Sequence, residues 1–309
     1  MSASFQAYLH ELADQAQPLA VSKLVNLSSM QPEQVSLFMN AWLQMDMRRR
    51  RRLIQELIDL ADDNVELNFD AVFFIALADT DAGVRRNAVK GLWEYEGRDM
   101  IDPLLGLLER DPDAAVRVEA ALALGRFVLQ AEFDTLRAVD AERVDRALRR
   151  TIDDAAEVVE VRARALESIG ARSRPWVRDL IQPALDSPDR RLWLSAVHAM
   201  GRSCDPAWLP ELIEALGSDD AEMRFEAASA CGAIADEAAT SHLMPLLDDN
   251  DEEVREAAIG ALGQIGGREA TEALERLVVE GNERTREAAL SALAEVNFAE
   301  DPLPFKFRG

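Results

Sequence analysis

The chain has 309 residues, 48% of them apolar and 6% aromatic, with Ala and Leu dominant; that suits a large core of closely spaced helices better than a sheet. A formal net charge of −23 argues against wrapping duplex DNA or lying on an anionic membrane, because neutralising phosphate takes Lys and Arg in excess. Two cysteines, Cys204 and Cys231, make neither a disulfide framework nor a metal-ligand cluster. The sequence also shows no charged-then-apolar leader and no apolar run of about 18 residues, so a reduced, cytoplasmic protein is expected. The acid is uneven: from Asp205 onward 24 acidic residues face 8 basic ones, against 33 and 26 before it.

Residues 1–64 carry helical periodicity without a repeat and are expected to form a divergent N-terminal cap. Phe5, Tyr8, Leu9 and Leu12 mark one short helix, and Leu19, Leu24, Val25 and Leu27 a second. Pro32 opens a third that carries Val35, Phe38, Ala41 and Trp42; Asp46 is placed to cap a fourth with Leu53, Ile54, Leu57, Ile58 and Ala61. Arg48 to Arg52 is the one basic run. Five consecutive arginines point all round a helix, so the run reads either as a solvated helix start paired with carboxylates or as an anion patch.

From Phe69 a repeat begins. Registered on the first apolar residue of each second helix, its copies start at Val84, Val116, Val161, Leu192, Met223, Val254 and Thr285, in steps of 32, 45, 31, 31, 31 and 31. Four residues after each anchor stands alanine (Ala88, Ala120, Ala165, Ala196, Ala227, Ala258, Ala289), small enough for neighbouring helices to approach closely. Eight after comes an apolar residue on the same face (Leu92, Leu124, Ile169, Met200, Cys231, Leu262, Leu293). Glycine follows it in five of the seven copies, as expected of a helix C-terminus. In six copies, all but that of Val161, Asp or Asn stands three before the anchor as an N-cap, and in six, all but that of Leu192, arginine follows the anchor. Those arginines are expected to pair with the cap aspartate or with that of the next repeat.

A period near 31 residues with two apolar helical patterns per copy specifies a solenoid, in which each unit buries its face only against its neighbours. The expected fold is all-α, a right-handed α-solenoid of seven helix pairs over residues 65–296, followed by an extended tail, 297–309. Pro302 and Pro304 forbid a helix in that tail, which either folds back over the open end or serves as a docking peptide. The 45-residue step places about 14 extra residues between Phe127 and Val161. Residues near 128–141 are expected to protrude as an elongated helix end or loop, open to partner contact or simply tolerated.

The pattern Asp-x-x-Val-Arg-x-x-Ala followed by Leu-Gly, best seen in Asp113 to Gly125 and Asp251 to Gly263, resembles the HEAT-like repeats named after the phycobilin lyases. The resemblance covers Phe69 to Val296. Gly91-Leu92-Trp93-Glu94, Leu124-Gly125-Arg126-Phe127 and Ala199-Met200-Gly201-Arg202-Ser203, in that order, also resemble bacterial HEAT-repeat proteins. The resemblance implies the fold. It leaves function among scaffolds, adaptors, chromophore lyases and other helical enzymes.

Chemistry-bearing constellations are sparse. His10, His198 and His242 are far apart, Cys231 takes a core position, and Cys204 has no obvious base beside it in sequence. The glycines mark repeat ends and follow helices, where a phosphate loop would follow a strand. No catalytic residue, cofactor or metal site is therefore assigned.

The groove lined by second helices is the more informative surface. Positions two and six after the anchor are expected to face it, grading from basic (Arg86, Lys90) through apolar (Val118, Leu122, Leu194, Phe225, with His198) to acidic (Glu256, Glu287). Trp193 replaces the arginine in the middle. An apolar patch flanked by charge is the anatomy of a protein-binding surface, although superhelical curvature could bury part of it. The expected role is a non-catalytic scaffold or adaptor for a protein partner, with no nucleic acid and no membrane. An accessory enzyme or chaperone of the chromophore-lyase type is the alternative, and nucleic-acid binding through Arg48 to Arg52 a third.

Overall fold

The structure, a computed structural model, describes residues 2–300. It divides into two compact units, Met1–Phe127 with Ala138–Ala147, and Val128–Arg137 with Leu148–Gly309. Every regular element among the described residues is helical, and the fold is the expected all-α solenoid of helix pairs.

In the first unit α1 (Ser2–Ala13) and a 3-10 segment (Val21–Leu27) precede α2 (Pro32–Trp42) and α3 (Met47–Asp63). Then come α4 (Asp70–Ala76), α5 (Ala82–Gly91), α6 (Ile101–Arg110) and the start of α7 (Ala114–Glu132). The Asp46 side chain accepts from the Arg49 amide at 2.7 Å, capping α3 as its sequence predicts. Registered on that cap, α2 and α3 fall into the frame of the later repeats. Phe38, eleven residues before Arg49, and Leu57, eight after it, are both fully buried. A further helix pair thus lies inside the segment read as a divergent cap. Its sequence hides it, because Arg49 replaces the apolar anchor and Leu53 the alanine.

The arginine run is committed within the same unit. Arg49 is buried and donates to the carbonyls of Asp14 and Gln17. Arg50 pairs with Asp79 at 3.0 Å, and the same carboxylate accepts from Trp42 Nε1 at 2.9 Å. Arg51 holds Asp81 through two hydrogen bonds of 2.8 and 2.6 Å, and Arg52 reaches Glu56. Four of the five side chains therefore work as clamps, and the carboxylate-paired reading of the run is the one its geometry supports.

The second unit holds the end of α7, the turn after it, the end of α8 (Ala138–Asp153) and five helix-rich repeats. These supply α9 (Val159–Ile169), α10 (Pro175–Leu185), α11 (Arg190–Ser203), α12 (Leu209–Leu216) and α13 (Ala221–Ile234). They continue with α14 (Thr240–Leu243), α15 (Glu252–Ile265), α16 (Gly267–Glu280) and α17 (Glu283–Glu300). The second helices α9, α11, α13, α15 and α17 pack on one another in sequence. The extra residues of the 45-residue step lengthen α7 and α8 and form the turn between them. The last helix does not stop near Val296 but runs to Glu300; the part of the tail with both prolines lies outside the described residues.

The six predicted caps all form: Asp81, Asp113, Asp189, Asp220, Asp251 and Asn282 each accept from a first-turn amide. The seven alanines four after the anchor are fully buried. The glycines five residues further on play a different part from the one expected. Gly201, Gly232 and Gly263 lie inside their helices, and a Cβ on them would come within 2.7, 2.8 and 2.8 Å of Ala230, Ala261 and Ala292 on the next second helix. They are seam residues whose missing side chain sets the helix spacing.

Two rungs of the arginine ladder form, with a different partner from the one expected, while Arg162, Arg255 and Arg286 donate to backbone carbonyls. Arg85 holds Asp111 through two bonds of 2.6 and 2.7 Å, and Arg224 holds Asp249 through two of 2.8 Å. Each carboxylate lies two residues before the cap of the following repeat, not at the cap. The same arginines donate to carbonyls at the start of their own repeat, Asp79 and Ser218, at 2.8 Å. One guanidinium thus ties two successive turns together, a bidentate, charge-assisted arrangement.

Gly232→Ala should lower thermal stability by about 1–3 kcal/mol through overpacking. Gly260→Ala, where a Cβ meets nothing within 4 Å, should raise it by up to about 1 kcal/mol; equal melting shifts for the two would reject the close seam. The hydrogen bonds from Arg224 hold the Asp249 carboxyl below its usual range. A depressed folded-state pKa contributes stability above the unfolded value of about 3.9 and loses it as pH falls through the folded value. Denaturant unfolding of the wild type should therefore weaken more steeply below about pH 4 than that of Asp249→Asn, and parallel pH profiles would dismiss the linkage.

Candidate functional site

A concavity of about 520 Å³ opens in the second unit, between the turn after α7 and the faces of α11 and α13. Leu129 and Phe133 form one wall, Ala230 and Ala233 the opposite one, and His198, Cys204 and Glu226 supply the polar groups. Phe133 is 73% exposed, on a turn that the chain holds firmly. The amides of Thr135 and Leu136 both donate to the Gln130 carbonyl, closing the helix end. The Glu132 carboxylate accepts from Arg172 at 3.3 Å and from the Ser173 amide at 3.1 Å, tying the turn to the end of α9. His198 meets Glu226, one repeat on, through Nδ1 at 3.1 Å.

The ten sequence-predicted contact residues divide between the two units, four in the first and six in the second. In the first unit Arg86 and Leu122 are exposed, Val118 is half-buried, and Lys90 pairs with Glu119 at 3.1 Å. In the second, Trp193 and Phe225 are half-buried and Glu287 is exposed. Glu256 is already paired with Arg284. His198 alone of the ten lines the concavity. Leu194 corrects the expectation: it is 5% exposed and belongs to the core. Position two faces outward only where its neighbour across the seam leaves room, and at Ala163 and Leu194 it does not.

Burial of the same face hides a polar network that sequence reading missed. Glu167 is 8% exposed although it stands six after its anchor, and Ser195 is fully buried. Glu167 accepts from Arg164, Arg191 and Ser195 at 2.7, 2.7 and 2.8 Å, while Arg191 also reaches Glu160 at 2.7 Å. Burial pushes the Glu167 carboxyl upward, but these donors outweigh it and hold it below the usual range. The available signal was the 31-residue separation of Glu160 and Arg191, one repeat apart. Every charge in the network is met by an opposite charge or a hydroxyl, which marks it as a brace between α9 and α11.

The two thiols differ. Cys231 is buried and its pKa is pushed up to about 12 by desolvation, so it behaves as a small apolar side chain. Cys204 is exposed and caps α11 in the left-handed region, with φ of 48°. It lines the concavity with His198, yet its Sγ contacts the Gly201 carbonyl and His198 turns to Glu226; among the described residues no hydrogen bond joins thiol and imidazole. Among those residues, too, no three His, Cys, Asp or Glu side chains are grouped to hold a metal ion, and no helix is long and apolar enough to cross a membrane.

Repeating helix pairs, capped by aspartate, joined by an arginine ladder and stacked on an Ala/Gly seam, define a helical-repeat protein. The family model for HEAT repeats matches residues 71–157, 153–221 and 209–294, and the chain belongs to that family. No curated protein matches the sequence. Among solved structures it is similar to the CpcE and CpcF complex of phycocyanin lyase from Nostoc, at 21% identity over 92% of this chain and 96% of that one, with a TM-score of 0.46. The Escherichia coli protein YibA is similar at 18% identity over 79% and 95%, with a TM-score of 0.47. Human deoxyhypusine hydroxylase in complex with glycerol is similar at 18% identity over 96% and 98%, with a TM-score of 0.36.

Glu132→Ala should free the turn that carries Phe133. A lost charge-assisted hydrogen bond is worth about 1.5–3 kcal/mol, so amide exchange at Ser173 and over residues 133–137 should speed by about tenfold or more. Unchanged protection would mean that Glu132 does not tether it.

Proposed function

We propose that the chain is a non-catalytic scaffold or adaptor that seats a protein partner in the concavity of the second unit. The observation that carries this reading is Phe133: a large apolar side chain, mostly exposed, held on a tied-down turn over an Ala-lined wall. Holding an aromatic residue in water on a rigid turn costs stability and gains nothing within the monomer. As a binding anchor it contributes much, because aromatic residues at the centre of an interface carry a large share of its energy and a preorganised anchor loses little entropy on binding. His198, Glu226 and Glu132 form a polar rim, and a cytoplasmic location fits the two free thiols.

The accessory-enzyme reading keeps one supporting observation: exposed Cys204 shares the concavity with the His198–Glu226 pair. Both readings meet in one comparison. Phe133→Asp, alone and with His198→Ala, should lose at least tenfold of the co-purifying partner while retaining the wild-type melting point. Retention of every partner would overturn the scaffold reading. Bound pigment on the purified wild type, or pigment transfer to an acceptor that Cys204→Ser abolishes, would put the lyase-type reading in its place.

A further inference from the structure

The first unit carries a concavity of its own, about 520 Å³, where the ends of α3 and α5 and the loop after α5 meet the start of α4. Its apolar base is Phe69 and Phe73, both buried. Gly91 lets the end of α5 come down onto Phe73, since a Cβ there would lie 2.5 Å from the ring. Trp93 forms the rim at 65% exposure, and Tyr95 forms a side wall, packed edge-on against Phe74 at 4.9 Å. In the repeat register Trp93 stands nine residues after Val84, where five later copies have glycine. An indole thus occupies a place that the seam otherwise keeps empty.

That indole is presented on a fixed loop. Arg126, partly buried, donates through Nη1 to the carbonyls of Leu92, Trp93 and Tyr95 and through Nε to that of Ala123. The guanidinium is thereby spent on backbone; burial pulls its pKa below the usual arginine range, and the charge of Glu96 only partly opposes that. Three further carboxylates, Asp62, Asp70 and Glu94, line the concavity. Asn68 donates to Asp70 at 2.7 Å, but among the described residues none of the three is in an ion pair. Elsewhere in this unit the arginines Arg50, Arg51 and Arg85 neutralise Asp79, Asp81 and Asp111. The C-termini of α3 and α5 bring their negative ends here, against the one positive end of the short α4. Burial, the hydrogen bond to Asp99 and the nearby charge of Asp70 hold the Tyr95 phenol above its usual range, consistent with a negative local potential.

We propose that this aromatic and acidic concavity receives the side chain of an arginine or lysine from a basic segment of a partner protein. The cation lies over the Trp93 face and its N–H groups donate to Asp62, Asp70 and Glu94, combining a cation–π contact with charge-assisted hydrogen bonds. Nucleic acid is disfavoured by the sign of the charge. A concavity of this size suits one long side chain with part of its backbone. The site is in the other unit from the Phe133 concavity and does not depend on it.

The test uses the full chain and a short peptide of alternating glycine and arginine, titrated by calorimetry at low and moderate salt. The same peptide with citrulline for arginine removes the charge while keeping the shape. Trp93→Ala and the pair Asp62→Asn with Glu94→Gln should each weaken binding at least tenfold. Trp93→Phe, which keeps a π face, should recover part of the loss. Glu269→Gln with Glu272→Gln removes two exposed charges from α16, which does not line the concavity, and should change the affinity less than about twofold, since net charge alone is screened by salt. Because Trp93 is exposed, circular dichroism and melting of its variants should match the wild type. Equal binding by Trp93→Ala, equal binding of the citrulline peptide, or equal loss in the α16 pair would each overturn the proposal.

Discussion

Successive second helices of the second unit touch through glycine on one and alanine on the next, and this contact governs the rest of the unit. When backbone meets backbone, the separation of two helices is set by the absence of side chains, and there is little slack for a repeat of another length. Alanine four residues after each anchor keeps the seam thin, so the larger apolar residues come from the flanking first helices. With the helices this close, the turns that join them are close as well. An arginine after the anchor can then reach both its own opening turn and a carboxylate of the next repeat. In the second unit Arg224 with Asp249 spans two such turns; Arg85 with Asp111 makes the same link in the first unit without a seam glycine.

Much of this architecture was legible because it rests on short-range rules. Cap aspartates, helix starts and the buried alanines depend on offsets of three, four and eight residues, and all of them hold. What escaped depends on contacts between repeats. The glycines read as helix ends because glycine ends helices by local conformation, whereas here their φ is ordinary and the reason for them lies on the next helix. The ladder carboxylate was placed two residues too late, since both Asp111 and Asp113 stand in the right turn and only the fold distinguishes the cap from the rung. Leu194 was assigned outward by helical phase alone, and phase does not register how deeply a neighbouring helix is set. The α2–α3 pair stayed hidden because arginine and leucine occupy its two diagnostic positions; its register emerges only from Asp46, Phe38 and Leu57 together.

The charge of the chain takes on a different meaning once its pairs are assigned. A net charge of −23 suggests a surface strewn with solvated acid. Yet Arg49, Arg50 and Arg51, the ladder arginines and Arg191 of the Glu160–Glu167 brace are each aimed at a particular carboxylate or carbonyl. Many arginines, exposed ones such as Arg51, Arg190 and Arg284 included, are held by particular carboxylates, and a carboxylate outside any ion pair in a concave place is the more informative for that. The five-arginine run, in turn, offers little free charge to an anion.

The departures from the repeat then carry the functional argument. A solenoid made only of regular copies presents a surface of caps, alanines and solvated charge, with nothing to hold one partner over another. The chain breaks its own rule at Trp93, where a seam glycine is replaced by indole, and at Phe133, where the longest step in the register ends in an exposed ring. In each case the deviation is not loose. Arg126 fixes the Trp93 loop through three carbonyls, and Glu132 fixes the Phe133 turn through Arg172 and Ser173. Large apolar side chains exposed on tethered backbone cost the monomer stability, and the half-buried Arg126 and Glu132 are committed to holding them in place. The tethers are thus the stronger argument that these two aromatics are anchors, because they stabilise a conformation the fold itself does not require.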